Sequence, residues 1–150
     1  MSLSFRVISL SELQQANDLI EFGYAETVQG PPLNIDWGWY QNLFAAGVIA
    51  ICGCFDGPKL VGFVVIMKLA DLWESRMMAN VVALYLLPEY RQGFNGVRLI
   101  RTAEKLAKAM DCRKIRFSVS RKSVFKGKPR FKVFIGLGYS LKELVLEKGL

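Results

Sequence analysis

Hydrophobic and polar positions follow two periods along this chain, and the changes between them predict the order of its elements. Residues 5–8 suggest a first strand, and the apolar residues after Ser11 recur at helical spacing, which predicts a capped amphipathic helix. The chain breaks at residues 30–32, a Gly-Pro-Pro sequence, after which Asn34 or Asp36 is a suitable cap for a second, aromatic helix. The sequence therefore opens with a strand and two helices.

The middle of the chain, residues 48–87, is predicted to form three strands. Residues 48–55 and 60–69 are rich in β-formers and are joined by Asp-Gly-Pro-Lys, a turn sequence that favours an antiparallel hairpin. Residues 71–76 are predicted as a polar loop. Residues 78–87 form a nearly continuous apolar run that ends at Pro88, which is typical of a central strand buried on both faces.

The last third begins with the clearest helix of the chain. Apolar residues follow a helical pattern after Gly96, with Arg and Lys between them. Alternation at residues 115–119 predicts the next strand, so that strand, helix and strand form a crossover unit with parallel strands. Residues 131–137 then read as a helix and residues 139–146 as a last strand. We find no linker that divides the chain and expect a single domain, 1–150.

Composition narrows the class of protein. The chain has 150 residues, is 52% hydrophobic and lacks an apolar run of the roughly 18 residues that a membrane-spanning helix needs. Its start does not resemble a signal peptide, and its three cysteines indicate reduced thiols, so we expect a cytoplasmic protein. Because the chain contains no histidine, we expect no metal site and no Ser-His-Asp or Cys-His catalysis.

Charge is divided unevenly along the chain. The net charge is +7, but residues 91–132 carry 14 Lys or Arg against two acids, which leaves the remainder of the chain at −5. This division predicts one region that attracts a polyanion and another that favours a cation, although a basic segment is often only a solvated surface.

Residues 84–100 carry the strongest chemical signal: a strand, Pro88, a glycine-containing turn and the clear helix. A turn that enters a helix points unpaired backbone amides in one direction, and the helix dipole adds positive charge. Gly93 and Gly96 allow a close approach of the backbone. The segment therefore suggests a site for a phosphate group.

The same segment resembles the cofactor-binding signature of the GNAT acetyltransferases, in which a strand with a Leu-x-Val-x-Pro pattern leads into Tyr-Arg and a glycine loop. The Leu-Gly-Tyr sequence that ends at Tyr139, after a helix, resembles a second landmark of that family. The resemblance extends through nearly the whole chain. It implies an α/β GNAT fold, with a central mixed twisted sheet of about six or seven strands flanked by about four helices.

The resemblance also implies an acetyl-CoA-dependent N-acetyltransferase that modifies a primary amine. Backbone groups of Leu84 and Leu86 are then expected along the acetyl group and the pantetheine arm. Arg91 and Arg98 are expected near the phosphates of the cofactor. The amides expected to cradle the pyrophosphate are those of Arg91, Gln92, Gly93, Phe94, Asn95, Gly96 and Val97.

The chain departs from the family pattern at the turn and at the usual proton-transferring positions. Phe94 stands where the first glycine is common, and Gly93 comes one position early. A glutamate base often found on the central strand would fall near Asn80, and a tyrosine acid in the last helix would fall at Phe134. Both usual proton-transferring side chains are therefore expected to be absent.

In the implied reaction a neutral amine attacks the thioester directly, and the protein's largest tasks are orientation and stabilisation of the developing oxyanion. Glu74 is the first candidate base and Asp71 the second, because we expect their loop to enter the central strand from the acceptor side. Tyr85 is the candidate acid, with Tyr90 as its alternative, although a tyrosine in a buried strand is commonly a core residue. The alternative interpretation of Glu74 is a solvated loop acid without a catalytic role.

The first two helices and the loop before the central strand are expected to form the acceptor site for a small-molecule or peptide amine. Their aromatic residues and acids suit a cationic amine; these are Trp37, Trp39, Tyr40, Trp73, Glu21, Glu26, Asp36, Asp71 and Glu74. Oligomeric state stays open, with a homodimer as one option. Two alternatives stay open as well: an interaction protein that has lost catalysis, and a nucleic-acid-binding domain, which only the charge favours.

Overall fold

The computed structural model describes residues 2–27, 33–118, 124–125, 128–142 and 148–149. They belong to two compact units, Met1–Phe117 and Ser118–Leu150, which we describe separately. The single domain stays a prediction. The first unit contains β1 (Leu3–Val7), α1 (Leu13–Thr27), α2 (Trp37–Ala45), β2 (Ile49–Asp56), β3 (Lys59–Asp71), β4 (Arg76–Leu86), α3 (Asn95–Ala109) and β5 (Lys114–Phe117).

The five strands of the first unit form one mixed sheet in the order β1-β2-β3-β4-β5. The strands from β1 to β4 are antiparallel neighbours, and β5 lies parallel to β4. Gly57, at φ +57°, provides the positive dihedral angle that a tight hairpin turn between β2 and β3 requires. The predicted hairpin and the predicted crossover through α3 are both confirmed.

Helices α1 and α3 cover opposite faces of this sheet. A Cβ atom on Gly23 of α1 would lie 2.9 Å from the ring of Tyr85, which packs against Phe63. On the other side, the Cys52 thiol contacts the Thr102 carbonyl of α3 at 3.9 Å. Cys52 pairs with Val64, the neighbour of Phe63, and successive side chains of a strand point to opposite faces. The core is therefore a sheet between two helical layers.

The helix caps differ in one place from the sequence interpretation. A short 3-10 turn, Leu10–Glu12, precedes α1, and its cap residue is Ser9 rather than Ser11. The Glu12 carboxylate accepts hydrogen bonds from the Ser9 backbone at 2.9 Å and hydroxyl at 3.0 Å. The sequence favoured Ser11 because the helical apolar pattern starts at Leu13 and does not reveal the preceding turn. Asp36 caps α2, as one of the two predicted alternatives, by accepting from the Trp39 amide at 3.0 Å.

The second unit contains β6 (Val124–Phe125), β7 (Lys128–Pro129) and α4 (Arg130–Gly136). β6 and β7 form an antiparallel pair, and α4 confirms the predicted last helix. In the predicted last strand, residues 139–142 are not in a strand, and residues 143–146 lie outside the described residues. No described helix is long and apolar enough to cross a membrane.

Candidate cofactor and active site

Among the described residues, the carboxyl half of β4 has a neighbouring strand on its β3 side only, and we call the open side the gap. Pairing with β5 ends at Val81, which faces Phe117, whereas pairing with β3 continues to Leu86. Beyond Val81, no described strand lies against β4 on the β5 side. In the same segment β4 is not buried on both faces as predicted, since the Val82 side chain is 54% exposed.

A β-bulge lies at the start of this open segment. Val65 pairs with Ala83 and Ile66 pairs with Val81, so Val82 is an extra residue without a partner on β3. A bulge of this kind bends its strand and increases the local twist. The bend therefore coincides with the point where β4 and β5 part.

The alternation of hydrogen bonds along β4 directs the backbone of Leu84 and Leu86 toward the gap. The Leu87 amide donates to the Val61 carbonyl of β3 at 2.9 Å. In an antiparallel ladder every second residue bonds the same neighbour, so Leu86 and Leu84 direct their backbone groups away from β3. Leu84 thus offers its amide and carbonyl along the open edge, and Leu86 offers its amide, since its carbonyl accepts from Arg91.

The turn after β4 brings unpaired amides together. It contains a 3-10 turn, Pro88–Tyr90, followed by Gly93 at φ +62°, a conformation that glycine adopts without strain. Helix α3 begins at Asn95, and its cap residue, Phe94, has no side-chain acceptor. The early glycine is therefore required by the turn itself.

The first turn of α3 leaves the amides of Asn95, Gly96 and Val97 without an acceptor among the described residues, since the first helical bond runs from the Arg98 amide to the Phe94 carbonyl at 2.8 Å. A Cβ atom on Gly96 would have no neighbour within 4 Å. The 15-residue helix thus presents uncapped donors and its positive dipole end to open space. These features fit a phosphate group.

Arg91 does not extend into this open space. Its Nε donates to the Leu86 carbonyl at 2.7 Å, and its Nη2 lies 2.8 Å from Glu26 Oε1. The guanidinium also lies 5.3 Å from the centre of the Tyr85 ring. The sequence predicted an Arg91 that meets phosphates. Here the side chain binds groups of its own chain, and its contact with a phosphate stays a prediction.

Tyr85 and Glu26 complete this cluster. The Tyr85 hydroxyl donates a short hydrogen bond to Glu26 Oε2. Burial, and then the bond to Glu26, raise the pKa of Tyr85 to about 12. The bond from Tyr85, followed by Arg91, holds the pKa of Glu26 below its usual value. Tyr85 is therefore a weaker acid than a free tyrosine, and Glu26 is a stably ionised carboxylate.

Arg98 and Tyr90 lie on the β1 side of the turn. The Arg98 guanidinium stacks 4.3 Å from the centre of the Phe5 ring, and the Tyr90 hydroxyl donates to Asp56 at 2.7 Å. A cavity of about 510 Å³ lies here, and its lining includes Tyr90, Gln92, Asn95 and Arg98. The side-chain Nδ2 of Asn95 donates to the Tyr90 carbonyl at 3.0 Å, which joins the turn to α3.

Glu74 lies at the other end of β4. Residues 71–76 form the tight end of the β3–β4 hairpin rather than a loop at the gap, and the Lys114 ammonium binds Glu74 at 2.5 Å and Asp71 at 3.0 Å. These bonds raise the pKa of Lys114, and Lys114 lowers the pKa of Asp71. At about 3.3 Å per residue, the strand from Arg76 to Val82 spans about 20 Å. The structure therefore does not bring Glu74 to Tyr85 or to the gap.

The aromatic residues expected around the acceptor lie on two different elements, α2 and the β3–β4 hairpin. Trp37 donates to Glu21 at 3.0 Å and packs against the buried Tyr40, with ring centres 5.5 Å apart. Trp39 is exposed on α2, whereas Trp73 is 98% exposed at the hairpin end beside Glu74. Of the four aromatic residues, Trp37, Trp39 and Tyr40 share α2, and Trp73 lies on the β3–β4 hairpin.

The two departures at proton-transferring positions have different surroundings. Asn80 is half-buried on β4, in register with Met67 and with Arg116. Phe134 is buried in the second unit and packs against Tyr139, with ring centres 5.4 Å apart. Tyr139 therefore has the packing role that the sequence analysis considered for it.

The cysteines are buried thiols. Burial raises the pKa of Cys52 to about 12 and that of Cys54 to about 11, which makes both poor nucleophiles and poor metal ligands. Among the described residues, no group of His, Cys, Asp and Glu is arranged to hold a metal ion.

The gap, the bulge and the uncapped turn define an acyltransferase-like α/β protein, and comparison with known proteins gives its family. The profile of the Acetyltransferase (GNAT) family matches residues 13–124. The chain belongs to the GNAT family and is an N-acetyltransferase of the GNAT α/β fold. No curated protein sequence matches it.

Several solved structures share the fold at low identity. The ribosomal-protein-alanine N-acetyltransferase from Brucella melitensis is 16% identical with a TM-score of 0.76, and the alignment covers 100% of both chains. AAC(6′)-Iy, bound to a CoA bisubstrate analogue, is 16% identical with a TM-score of 0.78, covering 100% of this chain and 99% of the other. A GNAT family acetyltransferase from Staphylococcus aureus is 18% identical with a TM-score of 0.71 and 100% coverage of both chains.

Proposed function

We propose that this protein transfers the acetyl group of acetyl-CoA to a primary amine by direct attack of the amine on the thioester. Family membership implies the use of acetyl-CoA. The observation that carries the proposal is the uncapped first turn of α3, with free amides at Asn95, Gly96 and Val97 next to open space. Those amides are suitable donors for the pyrophosphate.

The open edge of β4 supports the remainder of the cofactor site. The amide and carbonyl of Leu84 and the amide of Leu86 face the gap, where a pantetheine arm can bond them as a neighbouring strand would. Bound acetyl-CoA supplies the activated acetyl group. The chain supplies alignment, and fixed backbone donors at the gap are suited to stabilise negative charge on the reacting oxygen.

Side-chain proton transfer has weaker support than backbone alignment. Glu74 is paired with Lys114 at the remote end of β4, and the Tyr85 hydroxyl is bonded to Glu26. We therefore propose that the amine loses its proton to solvent and that the leaving thiolate is protonated without an obligatory side-chain donor. Glu74→Gln should leave kcat within about threefold of the parent, since removal of a true base costs about a hundredfold or more.

The acceptor is proposed to be a cationic amine. The residues outside 91–132 carry a net charge of −5, and Glu21 lies on α1, where it accepts from Trp37. Similar folds act on diverse amines: the names of two related structures state a ribosomal-protein alanine and an acetylated neamine analogue. An acceptor panel should therefore include aminoglycosides, peptide amino termini and lysine side chains.

Gly96 provides the test of the cofactor site. Gly96→Asp places a carboxylate among the free amides, and an acid in the first turn favours the helix dipole, so the fold should be retained. We expect acetyl-CoA binding to weaken at least about a hundredfold, since an unscreened like charge near a phosphate costs several kcal/mol. Calorimetric titration with acetyl-CoA measures this, together with release of free CoA in the acceptor panel.

Gly96→Ala is the matched control, because it adds a Cβ atom to the same open space without a charge. It should bind acetyl-CoA within about fivefold of the parent, because the added methyl group removes no donor. If Gly96→Asp bound as tightly as Gly96→Ala, the proposed phosphate site would be wrong. If the parent itself gave no heat with millimolar acetyl-CoA, the proposed function would be wrong.

A further inference from the structure

Three contacts tie the Arg91 guanidinium to its own chain. Its Nε bonds the Leu86 carbonyl, its Nη2 bonds Glu26, and its guanidinium lies over the Tyr85 ring. A planar guanidinium has donors in a fixed fork, so these contacts hold it in one orientation. An arginine held in this way connects the turn to α1 and to the end of β4 and is not a mobile phosphate ligand.

The elements that Arg91 joins are distant in sequence. Glu26 is one residue from the end of α1, and Leu86 is the last residue of β4. Both partly exposed side chains of the ion pair, at 35% for Arg91 and 33% for Glu26, lie at the border between core and solvent. The Tyr85 hydroxyl binds the second Glu26 oxygen and so fixes the carboxylate on both sides.

The turn itself has few bonds of its own. No described group bonds the backbone of Gln92 or Gly93, and Phe94 is bonded through its carbonyl, which accepts from the Arg98 amide at 2.8 Å. The amides proposed to bind phosphate begin immediately after this stretch. Their direction therefore depends on how the start of the turn is fixed at Arg91.

Beyond the proposed function, on which this inference rests, we propose that Glu26 is a positioning residue: through Arg91 it anchors the phosphate-binding turn to α1 and to the end of β4. Glu26 does not touch the cofactor in this arrangement. It aligns the free amides before acetyl-CoA binds, and alignment before binding reduces the entropy lost on association.

The sign of the Glu26→Gln effect distinguishes this role from simple electrostatics. Removal of a negative charge near a polyanion site should tighten acetyl-CoA binding if only charge matters. Loss of the anchor should weaken it, and we expect about a tenfold increase in the dissociation constant, the size of one charge-assisted hydrogen bond. Calorimetric titration of the full chain with acetyl-CoA measures the effect, and circular dichroism confirms that the variant is folded.

Arg91→Lys is the second test and does not depend on the Glu26 variant. A lysine keeps the positive charge but cannot bond Leu86 and Glu26 as a fork, so the proposal predicts about tenfold weaker binding, whereas a direct phosphate contact predicts nearly parental affinity. In an Arg91→Met background, the further change Glu26→Gln should have no effect, because Glu26 acts through Arg91.

Glu89→Gln is the control for charge, because Glu89 is an exposed acid of the same turn. It should bind acetyl-CoA as tightly as the parent or slightly more tightly. Parental or tighter binding by both Glu26→Gln and Arg91→Lys would overturn the anchor while leaving the proposed function intact. Failure of the parent to bind would instead overturn the proposed function.

Discussion

Glu12 links strand β1 to the 3-10 turn that precedes α1. Its carboxylate accepts from the Ser9 amide at 2.9 Å and forms an ion pair with Arg6 at 2.6 Å. Chiefly through Arg6, and then through Ser9, these contacts lower the pKa of Glu12 to about 2. A folded-state pKa below the unfolded value means that the ionised carboxylate stabilises the fold. That stabilisation is fully present above about pH 4.5 and is lost as the pH falls toward 2.

Glu12→Gln should therefore lower the melting temperature at pH 7 and have little effect at pH 2. At neutral pH we expect about 2–4 °C, from a capping contribution of roughly 1 kcal/mol. Thermal unfolding of parent and variant at several pH values measures the difference. Glu104→Gln, which removes the exposed i,i+3 pair with Arg101, should have a smaller effect. A Glu12 effect that does not change with pH would contradict the assignment.

At the scale of single residues, the sequence could predict partners that are close along the chain. Asp36 as a cap and Gly57 in a hairpin turn follow from local chemistry. The bond between Arg91 and Glu26 could not be predicted, because its partners are 65 positions apart and their meeting depends on how α1 packs on the sheet. The loop of Glu74 was expected to enter the central strand from the acceptor side because it was judged by its position in the sequence, which does not show the end of β4 on which Glu74 lies.

At the scale of elements, β4 combines a paired edge and an open edge. The turn and α3 were predictable because glycine positions and helical periodicity are local signals. The bulge at Val82 and the gap beyond Val81 were not, since both depend on the register with β3 and on where β5 ends. The apolar run of β4 is the same whether its neighbour is another strand or a ligand.

Proline substitutions along β4 test this division of its edges. Leu84→Pro removes an amide that faces the gap, and proline is tolerated where no ladder bond is donated, so the variant should fold. It should bind acetyl-CoA about three- to tenfold more weakly, as expected for one lost hydrogen bond. Tyr85→Pro removes an amide that faces β3 and should unfold the sheet. Circular dichroism and calorimetric titration compare the two. Equal loss of structure in both variants would contradict the assigned directions.

At the scale of the whole molecule, the excess of Lys and Arg in residues 91–132 places a row of cations on the solvent-facing side of α3. Leu99, Ile100, Ala103 and Ala107 are buried against the sheet, so the cations between them face solvent. These exposed residues are Arg98, Arg101, Lys105 and Lys108. Their periodicity was predictable from sequence because it follows directly from the helical repeat. They form a row of positive charge along the helix whose first turn carries the uncapped amides, and such a row raises the local concentration of an anionic substrate.

Acetyl-CoA should therefore stabilise the protein in a manner that depends on salt. At a ligand concentration about a hundred times the dissociation constant, binding contributes about 2.7 kcal/mol, which raises the melting temperature by about 5–10 °C in a chain of this size. Because exposed charges are screened within about 10 Å at 0.1 M salt, the shift at fixed ligand concentration should fall between 0.05 and 0.5 M salt. Dephospho-CoA carries fewer charges and should give a smaller shift that changes less with salt. Equal shifts with both ligands at every salt concentration would show that the basic face of α3 does not contribute to binding.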